Sequence, residues 1–296
     1  MNHNQRSVTV LGLGNMGAAI ADAMTANGHR VTVWNRSPGK ATNQVTAGAS
    51  LSKTPADAVR FSESILICVS DAAACKEIFS TDGFATALQD KTLIQFSTMT
   101  SEDSRGLAAW VTDTGAGYLD GSILGLPTEV REGILEILYS GPETLFKQAE
   151  SVLAVLGVPV WLGKQYGIAF LADKIVYAQY YGIHFTYLLT AALGQAAGIS
   201  VENLKMIIGG EDRWKVRGKM VDAALDMASK RDYSGDECAL DVHLAAFEHV
   251  VQLSKETGIG TEFTQMIVET MRDAIDRGHA KDELPAIFEV LYERKH

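Results

Sequence analysis

Val8-Thr9-Val10-Leu11-Gly12-Leu13-Gly14-Asn15-Met16-Gly17 runs from a β-branched apolar segment straight into a Gly-x-Gly-x-x-Gly turn, and a helical sequence follows from Ala18 to Ala26. In such a turn the first glycine permits a sharp reversal. The second lets backbone come close to a phosphate, and the third lets the helix pack tightly on the strand. The helix start then offers free N–H groups and a partial positive charge to an anion. A second strand, Arg30 to Trp34, arrives after Gly28 and completes a βαβ unit, so the segment predicts a dinucleotide site of the Rossmann type.

The end of that second strand bears on which nicotinamide dinucleotide is held. An acid there would grip the free ribose hydroxyls and repel a 2′-phosphate; this chain reads Trp34-Asn35-Arg36-Ser37-Pro38-Gly39-Lys40. Arg36 and Lys40 attract a 2′-phosphate and Ser37 can hydrogen-bond it, which favours NADPH. The dinucleotide is expected to lie against Gly12, Leu13, Gly14, Asn15, Met16 and Gly17. Asn35, Arg36, Ser37 and Lys40 serve the ribose side, and Val69 and Thr98 stand at the ends of later strands.

Farther along, extended apolar runs at Ser64–Val69, Thr92–Ser97, Tyr118–Leu124, Glu136–Ser140 and Pro159–Leu162 alternate with helical spacing, as at Ala72–Phe79 and Ser101–Thr112. The pattern predicts a doubly wound α/β sheet. From about Gly167 strand signals stop and helix follows helix, broken at Gly198, Gly209-Gly210, Tyr233-Ser234-Gly235, Gly258-Ile259-Gly260 and Gly278. We therefore expect a Rossmann domain over 1–165, an interdomain helix over 166–197 and an all-α domain over 198–296.

The segment from Ile168 to Ala197 is apolar almost throughout, with Asp173 and Lys174 as its formal charges. Gln179, His184 and four tyrosines argue against a membrane span, so a helix apolar on every side needs protein cover on every side. One domain rarely supplies it, which predicts a homodimer wrapped on this helix. At about 100° per residue, Asp173, Tyr180 and His184 share a narrow stripe, with Tyr177 and Tyr181 to one side. A carboxylate among phenols in apolar surroundings is costly unless used. The plain alternative is that Asp173 pairs with Lys174 or caps the helix.

With 296 residues and 47% hydrophobic content the chain can bury a large core. Its net charge of −10 argues against nucleic acid and anionic membranes as partners. Cys68, Cys75 and Cys238 are scattered thiols, which fits a reducing, cytoplasmic setting, and no His, Cys or carboxylate spacing implies a metal.

The Gly-Leu-Gly-Asn-Met-Gly opening, the Trp-Asn-Arg-Ser-Pro-x-Lys turn, the stretch Tyr118-Leu-Asp-Gly-Ser-Ile-Leu-Gly-Leu-Pro127 and the Gly-rich approach to the long helix together resemble imine reductases and reductive aminases. These belong to the wider β-hydroxyacid dehydrogenase superfamily. The resemblance covers nearly the whole chain. It implies NADPH-dependent reduction of C=N bonds, mainly of hydrophobic cyclic imines, with ketone and amine as possible partners of the same site, and an active site at a homodimer interface. Alignment from Gly163 through Gly167 and Ala169 puts Asp173 where the hydroxyacid dehydrogenases carry a catalytic lysine, and Tyr177 where they carry an asparagine. The reductive aminase pattern adds Tyr181, eight residues on, and Thr98 at a position that is asparagine in that subgroup. His184, Trp214 and His243 are further expected lining residues for substrate. Asp173 would serve as a proton donor or as an anion beside an iminium.

Two other functions remain open at this point. A one-residue shift brings Lys174 to the catalytic lysine position of a β-hydroxyacid dehydrogenase, at the cost of placing Ala178 at the asparagine position. That enzyme class also usually grips its acid with a Ser-Gly-Gly turn, whereas the chain reads Ser122-Ile-Leu-Gly-Leu-Pro127. A catalytically silent NADPH-binding sensor would share the cofactor motif.

Overall fold

The computed structural model describes residues 6–235 and 237–293, apart from the side chains of 211–214 and 217. Eight strands form one sheet: β1 (Ser7–Leu11), β2 (Arg30–Trp34), β3 (Ser50–Leu51), β4 (Ser64–Ile67), β5 (Thr92–Gln95), β6 (Gly117–Ile123), β7 (Glu136–Ser140) and β8 (Val158–Trp161). Their spatial order is β3-β2-β1-β4-β5-β6-β7-β8. Pairing is parallel from β3 to β6, turns antiparallel between β6 and β7, and is parallel again to β8. The chain thus winds outward in one direction from β1 to β3 and in the other from β1 through β4. That reversal leaves a crevice beyond the C-terminal ends of β1 and β4, where open α/β sheets bind ligands.

Helices α1 (Asn15–Ala26), α2 (Thr42–Thr46), α3 (Pro55–Arg60), α4 (Ala72–Phe79), α5 (Phe84–Leu88), α6 (Ser101–Asp113), α7 (Pro127–Glu132) and α8 (Glu143–Leu153) connect the strands. Both sheet faces are covered, and side chains alternate between two cores as the pleat requires. Val8, Val10, Val33, Leu66 and Ile94 meet Ile20 and Met24 of α1 and Phe146 of α8. Leu11, Ile65, Ile67 and Leu93 meet Phe79, Phe84, Leu107 and Val111. Phe79, Phe84 and Trp110 stack within 4.7–6.4 Å of one another.

After β8 come α9 (Ile168–Ala196), α10 (Val201–Ile208), α11 (Glu211–Lys230), α12 (Leu240–Thr257), α13 (Glu262–Ala274) and α14 (Ile287–Glu293). The chain divides into two compact units, Met1–Tyr180 and Tyr181–His296, with the division inside α9. In the second unit Leu240, Met271, Ala274 and Val290 form a small core, supported by Leu244, Phe247 and Ile287. The expected glycine breaks fall at Gly198 after α9, at Gly209-Gly210 before α11, at Gly258 after α12 and at Gly278 beyond α13. Among the described residues no helix is long and apolar enough to cross a membrane.

Candidate active site

The Gly-rich turn is built against the neighbouring strand ends. Gly12 has φ +97°, and a Cβ there would meet the Cys68 carbonyl oxygen at 2.2 Å. A Cβ on Gly17 would meet the Gly12 carbonyl oxygen at 2.1 Å. Gly14 differs: nothing lies within 4 Å of the place its Cβ would take. Its lack of a side chain therefore leaves a cradle open. The Leu13 N–H donates to Asn35 Oδ1 at 2.9 Å, which ties this turn to the end of β2. Three other helix starts in the unit are closed by side chains: Thr54 accepts from the Asp57 N–H, Asp71 from Ala74 and Thr100 from Asp103. Gly14 offers α1 no such cap. The first-turn N–H groups of α1 thus face the cavity at a helix N-terminus, the arrangement that binds pyrophosphate.

A cavity of about 720 Å³ opens there, wholly within the first unit. Its wall includes every residue expected to hold the dinucleotide: Gly12 through Gly17, Asn35, Arg36, Ser37, Lys40, Val69 and Thr98. Cys68, Ser70, Glu77, Phe96 and Ser122 also line it. Glu77 escaped sequence reading because it sits on α4, about forty residues beyond Arg36. It pairs with Arg36 at 3.5 Å, both side chains being largely exposed. Burial pushes the Cys68 thiol up to about 12, with a smaller contribution from Cys75, so Cys68 is a neutral wall group rather than a nucleophile.

The other end of the cavity is closed by α9, through Phe170, Asp173 and Tyr177. This is an i, i+3, i+7 row, whereas the expected stripe of Asp173, Tyr180 and His184 runs on along the helix away from the cavity. Tyr180 does share the direction of Asp173, but it stands seven residues, roughly 10 Å, farther along the axis. It is exposed and does not line the cavity. Tyr181 and His184 are exposed in the single chain and fall in the second unit. His243 lies half-buried on α12 of that unit, and the Trp214 side chain lies outside the described residues.

Asp173 is only 4% exposed. Its Oδ2 accepts from Lys174 Nζ at 2.5 Å, and its Oδ1 has no hydrogen-bond partner. Lys174 also stands over the Tyr177 ring, 5.4 Å from its centre. The plain alternative of an Asp173–Lys174 pair is therefore realised, and it sits in the wall of the cavity.

The start of α9 is held by a residue to which sequence reading gave no role. Asp120, fully buried on β6, accepts from Ser104 Oγ, from Ser140 Oγ at 2.7 Å and from the Gly167 N–H at 2.6 Å. Ser140 Oγ in turn accepts from the Ala169 N–H at 3.1 Å, and Ser101 Oγ donates to the Gly167 carbonyl at 3.0 Å. Two orphan N–H groups of the helix start are thus satisfied by the sheet. Burial pushes the Asp120 carboxyl above the usual carboxylate range, and the hydrogen bonds from Gly167, Ser104 and Ser140 oppose that shift.

Residues 7–164 match the family described as the NAD binding domain of 6-phosphogluconate dehydrogenase, and residues 165–293 match the NADPH-dependent reductive aminase-like C-terminal domain. A curated NADPH-dependent reductive aminase from Aspergillus oryzae is 29% identical over 290 residues, covering 96% of each chain. The solved imine reductase from Myxococcus stipitatus in complex with NADP+ superposes with a TM-score of 0.87 at 29% identity, over 96% of this chain and 99% of that one. A reductive aminase from Aspergillus terreus, solved with NADPH and ethyl levulinate, gives 0.86 at 27% identity over 97% and 99%.

Proposed function

Since the chain belongs to the family that joins a 6-phosphogluconate dehydrogenase-type NAD binding domain to a reductive aminase-like C-terminal domain, we propose that it is an NADPH-dependent imine reductase. It reduces the C=N bond of imines to give amines. The observation that carries this reading is the buried Asp173 carboxylate in the wall of the cavity that opens from the Gly-rich cradle.

NADPH supplies the hydride. The residues of this chain do the rest. The uncapped start of α1 receives the pyrophosphate, and Arg36, Ser37 and Lys40 receive the 2′-phosphate. Phe170 and Phe96 keep the inner wall apolar, which suits a hydrophobic imine better than a charged acid. A C=N carbon accepts hydride readily only when nitrogen carries positive charge. Asp173 stabilises that charge, and Tyr177 beside it orients the nitrogen. Tyr181, Thr98, His184, Trp214 and His243 keep their expected substrate-side roles, as does the division into a cofactor domain over 1–165, a linking helix over 166–197 and a helical domain over 198–296. Ketone and amine are accepted as precursors of the imine. Three free thiols support a reducing, cytoplasmic setting.

A homodimer is part of the same reading. Ile175 (66%), Tyr181 (66%) and Leu188 (70%) on α9, Met206 (69%) on α10 and Met220 (65%) on α11 are exposed in the single chain. That much uncovered apolar surface on successive helices is what a second subunit buries.

Lys174 lines a different hollow from the one that Asp173 lines. This observation supports the imine reductase reading over a hydroxyacid dehydrogenase. The test is NADPH oxidation with 2-methyl-1-pyrroline, run beside oxidation of 3-hydroxy acids with NADP+. Turnover of the imine alone supports the proposal. Turnover of the hydroxy acid alone contradicts it, and turnover of neither leaves a silent cofactor binder.

A further inference from the structure

Two neighbours on a helix point about 100° apart, and adjacent residues do not normally meet. Lys174 nevertheless folds back, so that its Nζ lies 2.5 Å from Asp173 Oδ2. The two partners face different surroundings. The Asp173 side chain is 5% exposed and lines the cofactor cavity; the Lys174 side chain is 46% exposed and lines a second hollow of about 520 Å³. Thr98 lines both, so the two spaces share a wall in the first unit. The pair crosses that wall.

Resting on the reading that Asp173 serves the imine nitrogen, we infer that Lys174 is a positioning residue that supplies Asp173 with the proton the reaction consumes, drawn from water in the second hollow. A buried carboxylate is costly alone, and the ammonium beside Oδ2 offsets that cost while fixing the group in the wall. Oδ1 remains without a partner, a place for the N–H of a protonated imine. Besides Asp173, the charged groups around Lys174 are Asp71 at the start of α4, Lys76 in its last turn and Asp103 of α6, and the ring of Tyr177 lies beneath the ammonium. Asp71 caps α4 through the Ala74 N–H, which holds its carboxyl below the usual range, and Asp103 accepts from Thr100 Oγ1 at 2.7 Å. Apart from Lys174 itself, the hollow carries two carboxylates against the one ammonium of Lys76, a balance that draws protons toward Nζ.

A proton passes from Nζ to the Asp173 carboxylate and from the carboxyl to the imine nitrogen, whose lone pair takes it. The carbon then accepts the hydride that NADPH supplies, and the C=N π pair returns to nitrogen as the lone pair of the amine. Lys174 recovers a proton from water. In sum, imine, NADPH and one proton give amine and NADP+.

Two substrates and two variants test this. 2-Methyl-1-pyrroline needs a proton; N-methyl-1-pyrrolinium is permanently charged and needs none. Above the pH at which the free imine loses its own proton, Lys174→Met should lose rate on the neutral imine by about tenfold per pH unit, because only iminium formed in solution then reacts. The wild type should hold its rate over the same range. On the permanent iminium the variant should lose only a pH-independent part of its rate, that of a less firmly held Asp173, with no further loss as pH rises. Lys174→Arg keeps charge and reach but releases no proton, so it should behave as Lys174→Met does. NADPH binding, followed by its fluorescence, should be unchanged in both variants and reports that they are folded. Restoration of the wild-type profile by arginine would overturn the inference and leave Lys174 as a fixed charge. Equal slowing on both substrates would also overturn it. If wild-type protein reduced neither substrate, the imine reductase reading itself would fall, an outcome distinct from either.

Discussion

Arg36 and Glu77 show how a single side chain alters an expectation taken from sequence. The basic turn after β2 attracts a 2′-phosphate, yet Glu77 stands on the same cavity wall and already pairs with Arg36. A pair this exposed is weak and screened by salt, so Arg36 is free to leave it for a phosphate. Arg36→Ala should weaken NADPH binding about tenfold to a hundredfold and leave NADH nearly unchanged, the range for a charge-assisted contact. Glu77→Gln should tighten NADPH binding a few-fold by removing a competitor and a like charge. Fluorescence titration with both cofactors checks the two changes together. Equal loss for NADH in Arg36→Ala would mean that the turn does not read the 2′-phosphate.

Among elements, the entry to α9 decides where the Asp173 carboxylate stands, and Asp120 fixes that entry through Gly167, Ser140 and Ser104. Asp120→Asn turns an amide donor toward groups that themselves donate. It should lower stability by about 1–3 kcal/mol, the cost of unsatisfied buried groups. The pH dependence has a definite sign. The carboxyl is raised in the folded state, so the native protein binds the proton more tightly than the unfolded chain does. The stability that this tighter binding contributes is full below the ordinary carboxylate range, and it is lost as pH rises through the raised folded value. Denaturant melts of wild type and Asp120→Asn should therefore show a gap that widens as pH is lowered toward about 4. A gap that narrowed would contradict the assigned shift. Sequence reading found β1, β2, β4, β5, β6, β7 and β8 because each carries its own apolar run, with ends shifted by one or two residues. The two-residue β3 is exposed and has no such run. The role of Asp120 was not legible for a different reason. Its partners Ser104, Ser140 and Gly167 come from three other segments, and only the folded sheet brings them together.

For the molecule as a whole, the cofactor half was readable because the Gly-rich turn, the helix start and the basic loop are contiguous in sequence. All twelve positions expected to hold the dinucleotide line one cavity. Of the positions expected on the substrate side, Asp173, Tyr177 and Thr98 line that cavity. Helical geometry gave the direction of Tyr180 but not the depth of the cavity along the axis. The exposed apolar faces of α9, α10 and α11 predict a dimer in sedimentation at micromolar concentration, with an interface above roughly 2,000 Å²; a stable, active monomer would refute the shared-helix picture. On the proposed reading, one buried carboxylate serves the C=N nitrogen beside a cofactor cradle that functions independently of it. Steady-state reduction of 2-methyl-1-pyrroline by Asp173→Ala, with NADPH affinity measured on the same preparation, tests this most directly. The kcat should fall by about 10²–10⁴, the usual contribution of a positioned acid or base, at unchanged NADPH affinity. A variant that kept most of the wild-type rate, while Tyr177→Phe abolished it, would remove Asp173 from the chemistry and move the proton transfer to the tyrosine.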